Sequence, residues 1–107
     1  VVITYNPDRA DVLNNDYVSG KKTVTHLTQV LVAAGSANLD KRQLIYLENV
    51  GNKDCFFGPS GVSTTGATQG GRLCPGQWYW LSLGPNQDMY VICRSGESTE
   101  IVIQEWA

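Results

Sequence analysis

From position 23 onward, large apolar side chains recur at every second residue in short runs, and each run stops at Gly, Pro, Asn or Ser. Alternation with period two marks a strand with one buried face. The punctuating residues mark turns. Thr23 to Ala33 is rich in β-branched residues, carries no Gly or Pro, and reads as a strand that includes His26. Its end, Val30-Leu31-Val32-Ala33-Ala34, is the one piece with helical character. Gln43 to Val50 alternates, with Leu44, Tyr46 and Glu48 on one face and Ile45, Leu47 and Asn49 on the other. Gly51-Asn52 then predicts a tight hairpin into Asp54 to Phe57. Ser60 to Gly71 is dominated by Gly, Ser and Thr and reads as a surface loop around a short strand.

Pro75-Gly76 predicts a type II turn, because that turn needs positive φ at its third residue. Gln77 to Leu83 follows as a strand, with Trp78, Trp80 and Ser82 against Tyr79, Leu81 and Leu83. Asp88 to Arg94 sets Met89, Val91 and Cys93 opposite Tyr90 and Ile92. Thr99 to Trp106 sets Ile101 and Ile103 opposite Val102, Gln104 and Trp106. These segments total seven to eight strands at the spacing of sandwiches and barrels. The connections are too short for crossover helices, so pairing is antiparallel. The expected fold is all-β: an antiparallel β-sandwich, with jelly-roll and immunoglobulin-like strand orders as alternatives.

Residues 1–22 read differently. Asn6-Pro7-Asp8, Asn14-Asn15-Asp16 and Ser19-Gly20 are turn signals between short apolar pieces. The expected organisation is an irregular N-terminal arm over 1–22 and the sandwich over 23–107. The arm either packs as a first strand on its own domain or reaches onto a neighbouring subunit, and its apolar residues Val1, Val2, Ile3 and Tyr5 are candidate contacts.

Composition narrows the function. Charged residues make up 17% and the net charge is −2, with the basic residues scattered. No basic face for phosphates is visible, which excludes nucleic acid as a partner. No basic amphipathic helix and no long apolar run speaks for a membrane. Val1-Val2-Ile3 lacks the pattern of a signal peptide. The three cysteines, Cys55, Cys74 and Cys93, lie 19 positions apart. An odd number is no disulfide framework, and three reduced, half-buried thiols are expected, as in a reducing cytoplasm. One pair plus a free thiol is the alternative.

Chemistry is hard to find. The single imidazole, His26, sits inside a strand segment. The cysteines and His26 lack the close ligand pairs of a zinc site. The acidic, amide-rich stretch Asp8 to Asp16 lacks the calcium-loop pattern. Gly66 to Gly71 is followed by neither the Lys-Ser/Thr of a phosphate loop nor a helix. No catalytic residue, metal or cofactor is expected.

The tryptophans carry more information. Trp78 and Trp80 leave the same face of one strand. Core aromatics are the commoner case, which places that face inward. If Tyr79, Leu81 and Leu83 face the core instead, the two indoles form an outward plate of the kind that binds partners or stacks on sugars. Trp106 shares the ambiguity. Phe56-Phe57 sends one ring to each side of a short strand, so both sides should meet apolar surroundings.

Beyond these patterns, the chain from Thr23 to its end resembles small virion proteins of tailed bacteriophages, of the β-sandwich capsid decoration or cement, head-fibre-like type (jelly-roll-like or β-tulip). The resemblance lies in an ordered series: Lys41-Arg42-Gln43-Leu44-Ile45-Tyr46-Leu47-Glu48-Asn49-Val50-Gly51, then Cys55-Phe56-Phe57-Gly58, Ser63-Thr64-Thr65-Gly66 and Leu73-Cys74-Pro75-Gly76. A finish similar to the family's last hairpin follows, from Met89-Tyr90-Val91-Ile92 through Ser95-Gly96 to Ile101-Val102-Ile103. The resemblance implies a virion structural protein on the capsid exterior, assembled in the host cytoplasm. It implies a homo-oligomer, with a trimer favoured, that bridges subunits of the major capsid protein or neighbouring virion subunits. It brings no catalytic residues, and the cysteines and paired tryptophans are not part of the pattern. Val1, Val2, Ile3, Tyr5, Trp78, Trp80 and Trp106 are the candidate contacts. The alternative is a receptor- or carbohydrate-binding module of a phage fibre, spike or tail, with Trp78 and Trp80 exposed in a polar groove.

Overall fold

Alternation along the sequence becomes alternation of burial in space. In the computed structural model, which describes residues 16–107, the Leu44–Asn49 strand buries Ile45, Leu47 and Asn49 and leaves Leu44, Tyr46 and Glu48 half-buried. Eight strands form among the described residues: β1 (Tyr17–Thr25), β2 (Val30–Leu31), β3 (Leu44–Asn49), β4 (Cys55–Gly58), β5 (Gly71–Leu73), β6 (Trp78–Ser82), β7 (Tyr90–Cys93) and β8 (Ser98–Trp106). A 3-10 turn, Gly66–Thr68, lies in the Gly/Ser/Thr-rich loop. The expected all-β antiparallel sandwich is the observed one.

The strands make two four-stranded sheets, β1-β8-β3-β6 and β2-β7-β4-β5. Four antiparallel pairs run β1 with β8, β2 with β7, β3 with β6, and β4 with β5. That nested set is one long hairpin rolled up on itself. Pairing of β3 with β8 and of β4 with β7 completes the sheets. This strand order is that of a jelly roll.

Rolling explains where the sequence reading went astray. No hairpin joins β3 to the next strand, because β4 lies in the opposite sheet. Val50 and Gly51 both donate their amides to the Glu100 carbonyl, and the Asn49 side-chain amide donates to the Lys53 carbonyl, so the Gly51-Asn52-Lys53 turn carries the chain over the sandwich edge. The last two strands are likewise no hairpin: Arg94 to Glu97, with Gly96 at φ +78°, crosses from one sheet to the other. The expected type II turn is present, with Gly76 at φ +81° and the Gln77 amide donating to the Cys74 carbonyl. The segment read as one strand from Thr23 to Ala33 breaks after Thr25, and His26 sits exposed in the bend. Residues 17–22, assigned to the arm, belong to β1, where Tyr17 pairs with Trp106 and Lys22 with Ile101.

Val24, Val32, Ile45, Leu47, Cys55, Leu73, Val91, Cys93, Ile101 and Ile103 fill the space between the sheets. Tyr79, Leu81, Leu83 and Phe57 pack against them. Polar knots tie both ends of this core. At one end Asn49 is fully buried; its amide also reaches the Leu73 carbonyl at 2.9 Å, and its oxygen accepts from Thr99 at 2.8 Å. At the other end lies an Arg42–Glu105 ion pair of 2.9 Å, with both side chains buried.

Candidate interaction surface

The inward assignment of Tyr79 and Leu81 decides the direction of the tryptophans. Both pack on the core, so Trp78 and Trp80 leave the outer face of β6. The commoner case, burial, is not the one found. Trp78 is 42% exposed. Trp106 follows the same logic: Ile101, Ile103 and Glu105 of β8 are buried, so Trp106 points outward with Val102 and Gln104.

Register then gathers the rings. Tyr17 of β1 lies opposite Trp106 of β8, and Tyr46 of β3 lies opposite Trp80 of β6. Ring centroids follow in a chain across all four strands: Tyr17 to Trp106 at 4.3 Å, Trp106 to Trp80 at 6.4 Å, Trp80 to Tyr46 at 4.9 Å, and Tyr46 to Trp78 at 6.0 Å. Each aromatic pair in this range contributes about 0.5–1.5 kcal/mol beyond the area it buries. Interplanar angles of 32–55° tilt the rings against one another, so they share no common plane. Tyr17, 46% exposed, carries the apolar surface to the β1 edge.

Polar side chains share this face with the rings, among them Ser19 and Thr23 of β1, Gln104 of β8 and Ser82 of β6. The Tyr46 hydroxyl donates to Glu48 Oε1 at 2.7 Å. Burial, reinforced by that bond and by the Glu48 charge, pushes the Tyr46 phenol up to about 12. Lys21 and Glu100 pair at 3.0 Å at the far end, exposed on both sides. The indole N–H of Trp106 is buried and has no hydrogen-bond partner among the described residues.

The opposite outer face is different. Phe56 is fully buried, capped by the Arg94 guanidinium at 4.9 Å from its ring centre. Arg94 and Arg72 meet on Asp54, at 3.2 and 2.7 Å. Phe56 and Phe57 thus do point to opposite sides, as expected, and both are covered within the chain: Phe57 packs on the core and on Tyr79, 5.6 Å away. Among the described residues the most exposed tyrosine and tryptophan rings, Tyr17 and Trp78, both belong to the β1-β8-β3-β6 sheet.

Of the sequence candidates, Trp78, Trp80 and Trp106 come together on one face, while Val1, Val2, Ile3 and Tyr5 lie outside the described residues. Tyr17 and Tyr46 were missed. Their signal was outward phase on their strands, but only cross-strand register joins them to the indoles. Two open depressions of about 520 and 480 Å³ lie elsewhere, one beside Gly51 and Thr99, the other beside Ala34 and Glu105, and neither holds an aromatic ring, a cysteine or His26. Among the described residues no group of three or more His, Cys, Asp or Glu could hold a metal ion, and no helix is long and apolar enough to cross a membrane. No family model matches the chain, and no curated protein matches it.

Proposed function

We propose that this domain is a non-catalytic assembly module, a virion structural protein that decorates or cements a phage capsid by docking its aromatic sheet face on neighbouring shell subunits. The observation that carries the reading is the ring chain from Tyr17 to Trp78 across the outer face of β1-β8-β3-β6. A contiguous apolar patch of this kind is a place for a partner, and Trp and Tyr are the residues that anchor interfaces. The jelly roll is shared by capsid proteins and lectins, so the fold agrees with the reading without fixing it. The partners are the major capsid protein or neighbouring virion subunits, and a trimer multiplies each modest contact by symmetry. The test adds purified chain to shells that lack it. Stoichiometric binding that raises the shells' heat resistance, and that Trp78→Ala/Trp80→Ala abolishes, supports cementing; no binding by the unaltered chain overturns it.

One observation favours a second reading. Trp78 is the most exposed of the indoles at the β6 edge, and Glu48, its partner in register, supplies a carboxylate beside it. An exposed ring next to an acceptor is how a sugar is held. The tilted rings and the lack of a groove around them count against an extended polysaccharide platform. A glycan array read alongside tryptophan-fluorescence titration separates the two: saturable quenching by a host polysaccharide favours the sugar-binding module, and silence disfavours it.

A further inference from the structure

Three evenly spaced cysteines leave every pairing open in the sequence. The register of the second sheet does not. β4 and β7 run antiparallel with Cys55 directly opposite Cys93. Both side chains point into the core, with exposures of 0% and 2%, and both belong to the same hydrophobic cluster. Directly opposed antiparallel residues have Cα atoms roughly 4.5–5.5 Å apart, inside the span of about 4.4–6.8 Å that a disulfide bridges. Cys74 is placed otherwise. It follows Leu73, the residue that flanks Cys55 from the β5 side, and is half-buried outside the core cluster that holds the other two.

We infer that Cys55 and Cys93 are a redox modification site: they close an intramolecular cross-strand disulfide when the folded chain meets a small-molecule disulfide, and Cys74 stays free. One thiolate of the pair attacks a sulfur of the small disulfide and expels one small thiolate. The second cysteine thiolate then attacks the mixed disulfide and expels the other. Two protein thiols are oxidised, one small disulfide is reduced to two thiols, and the two protein protons end on those products.

The reduced pair persists because burial keeps both thiols protonated. Burial pushes the Cys55 thiol up to about 12, with the neighbouring Cys93 thiol as the next contributor. Burial also raises Cys93, aided by the Glu97 charge. Oxidation is therefore slow at neutral pH and speeds up as pH rises or as the sheet opens locally. Once formed, the bond joins the two central strands of the β2-β7-β4-β5 sheet and closes a loop over residues 56–92. The pairing does not depend on the assembly role. For a protein folded in a reducing compartment and then released to an oxidising one, it adds a staple after folding is complete.

The test incubates the full chain with oxidised glutathione at pH 8.5. Denaturation, alkylation of the remaining thiols, intact-mass measurement and peptide mapping follow. The expected product is a monomer lighter by two hydrogens before alkylation, with a Cys55–Cys93 linked peptide and one alkylated thiol at Cys74. Its melting temperature should be higher by roughly 10 °C, from the restricted unfolded chain, and should return to the starting value with dithiothreitol. Cys74→Ser should oxidise identically, and Cys93→Ala should yield no intramolecular bond. A bond through Cys74, an intermolecular dimer, or full alkylation of all three thiols after prolonged oxidation overturns the inference.

Discussion

Replacing Glu105 by Gln tests whether the buried charge pair holds the end of the sandwich. Glu105 accepts three hydrogen bonds: Oε1 from the Ala34 amide at 2.8 Å, and Oε2 from the Leu39 amide and from Arg42 Nη1, both at 2.9 Å. Glutamine offers one oxygen and one NH₂ in the same space. With its oxygen toward Ala34, the NH₂ meets two donors, one of them the guanidinium. Flipped, the NH₂ meets the Ala34 N–H. Either way at least one buried donor loses its acceptor, which costs about 1–3 kcal/mol, and Arg42 keeps a buried charge without its counter-ion. Breaking one side of a buried pair costs about 3–5 kcal/mol in all. The other five bonds of Arg42, to Asn38 and to the carbonyls of Val32, Leu83, Gly84 and Gln87, remain and place the loss at the lower end, about 3 kcal/mol. Against a total of about 5–15 kcal/mol that is a large fraction, and it lowers the melting temperature by roughly 12 °C or more. Urea unfolding followed by tryptophan fluorescence reads it as a shifted midpoint at unchanged slope. A loss below about 1 kcal/mol would show that the Arg42–Glu105 pair is not what closes this end.

Three further outcomes follow from the geometry. In a spectrophotometric titration Tyr46 should ionise at about 12, and Glu48→Gln should move it down toward the usual phenol range because the Glu48 charge no longer opposes ionisation. Gly20→Ala should destabilise the fold strongly, since its new Cβ would drive into the Ala34 backbone carbonyl; thermal unfolding checks this, and a change within about 0.5 kcal/mol would contradict the close approach. Burial alone would raise the Asp54 carboxyl, but the guanidinium of Arg72, helped by Arg94, outweighs it and holds the group below the usual carboxylate range. Its stabilisation is therefore present above about pH 4 and lost as pH falls through the lowered folded value, so the difference in unfolding midpoint between the unaltered chain and Asp54→Asn should shrink in acid and in high salt.

Side-chain phase was readable residue by residue, and sheet membership was not. Ile45 with Leu47, Val91 with Cys93, and Ile101 with Ile103 announce the buried face of each strand by spacing alone. Alternation gives a face but not the sheet to which that face belongs, so Gly51-Asn52 was read as a hairpin when it turns the chain across the sandwich edge. The aromatic face needed two facts absent from any one strand: that Tyr79 and Leu81 are the inner side of β6, and that β1 and β3 align Tyr17 and Tyr46 with the indoles. Glu105 did leave a trace. It shares the inward phase of Ile101 and Ile103, and an acid in that phase calls for a buried cation, which Arg42 supplies from the far side of the β2–β3 connection.

The nested pairing has a consequence for how the chain comes to be folded. Sheet β1-β8-β3-β6 places β8 between β1 and β3, so one of its two central strands is Ser98–Trp106, which comes after the other seven in chain order. A nascent chain can close β4 on β5 early, but β1 waits, exposed and without a neighbour, until Trp106 has left the ribosome. Such long-range closure is slow and leaves an interval open to aggregation. Losing β8 therefore takes out the middle of a sheet rather than trimming an edge.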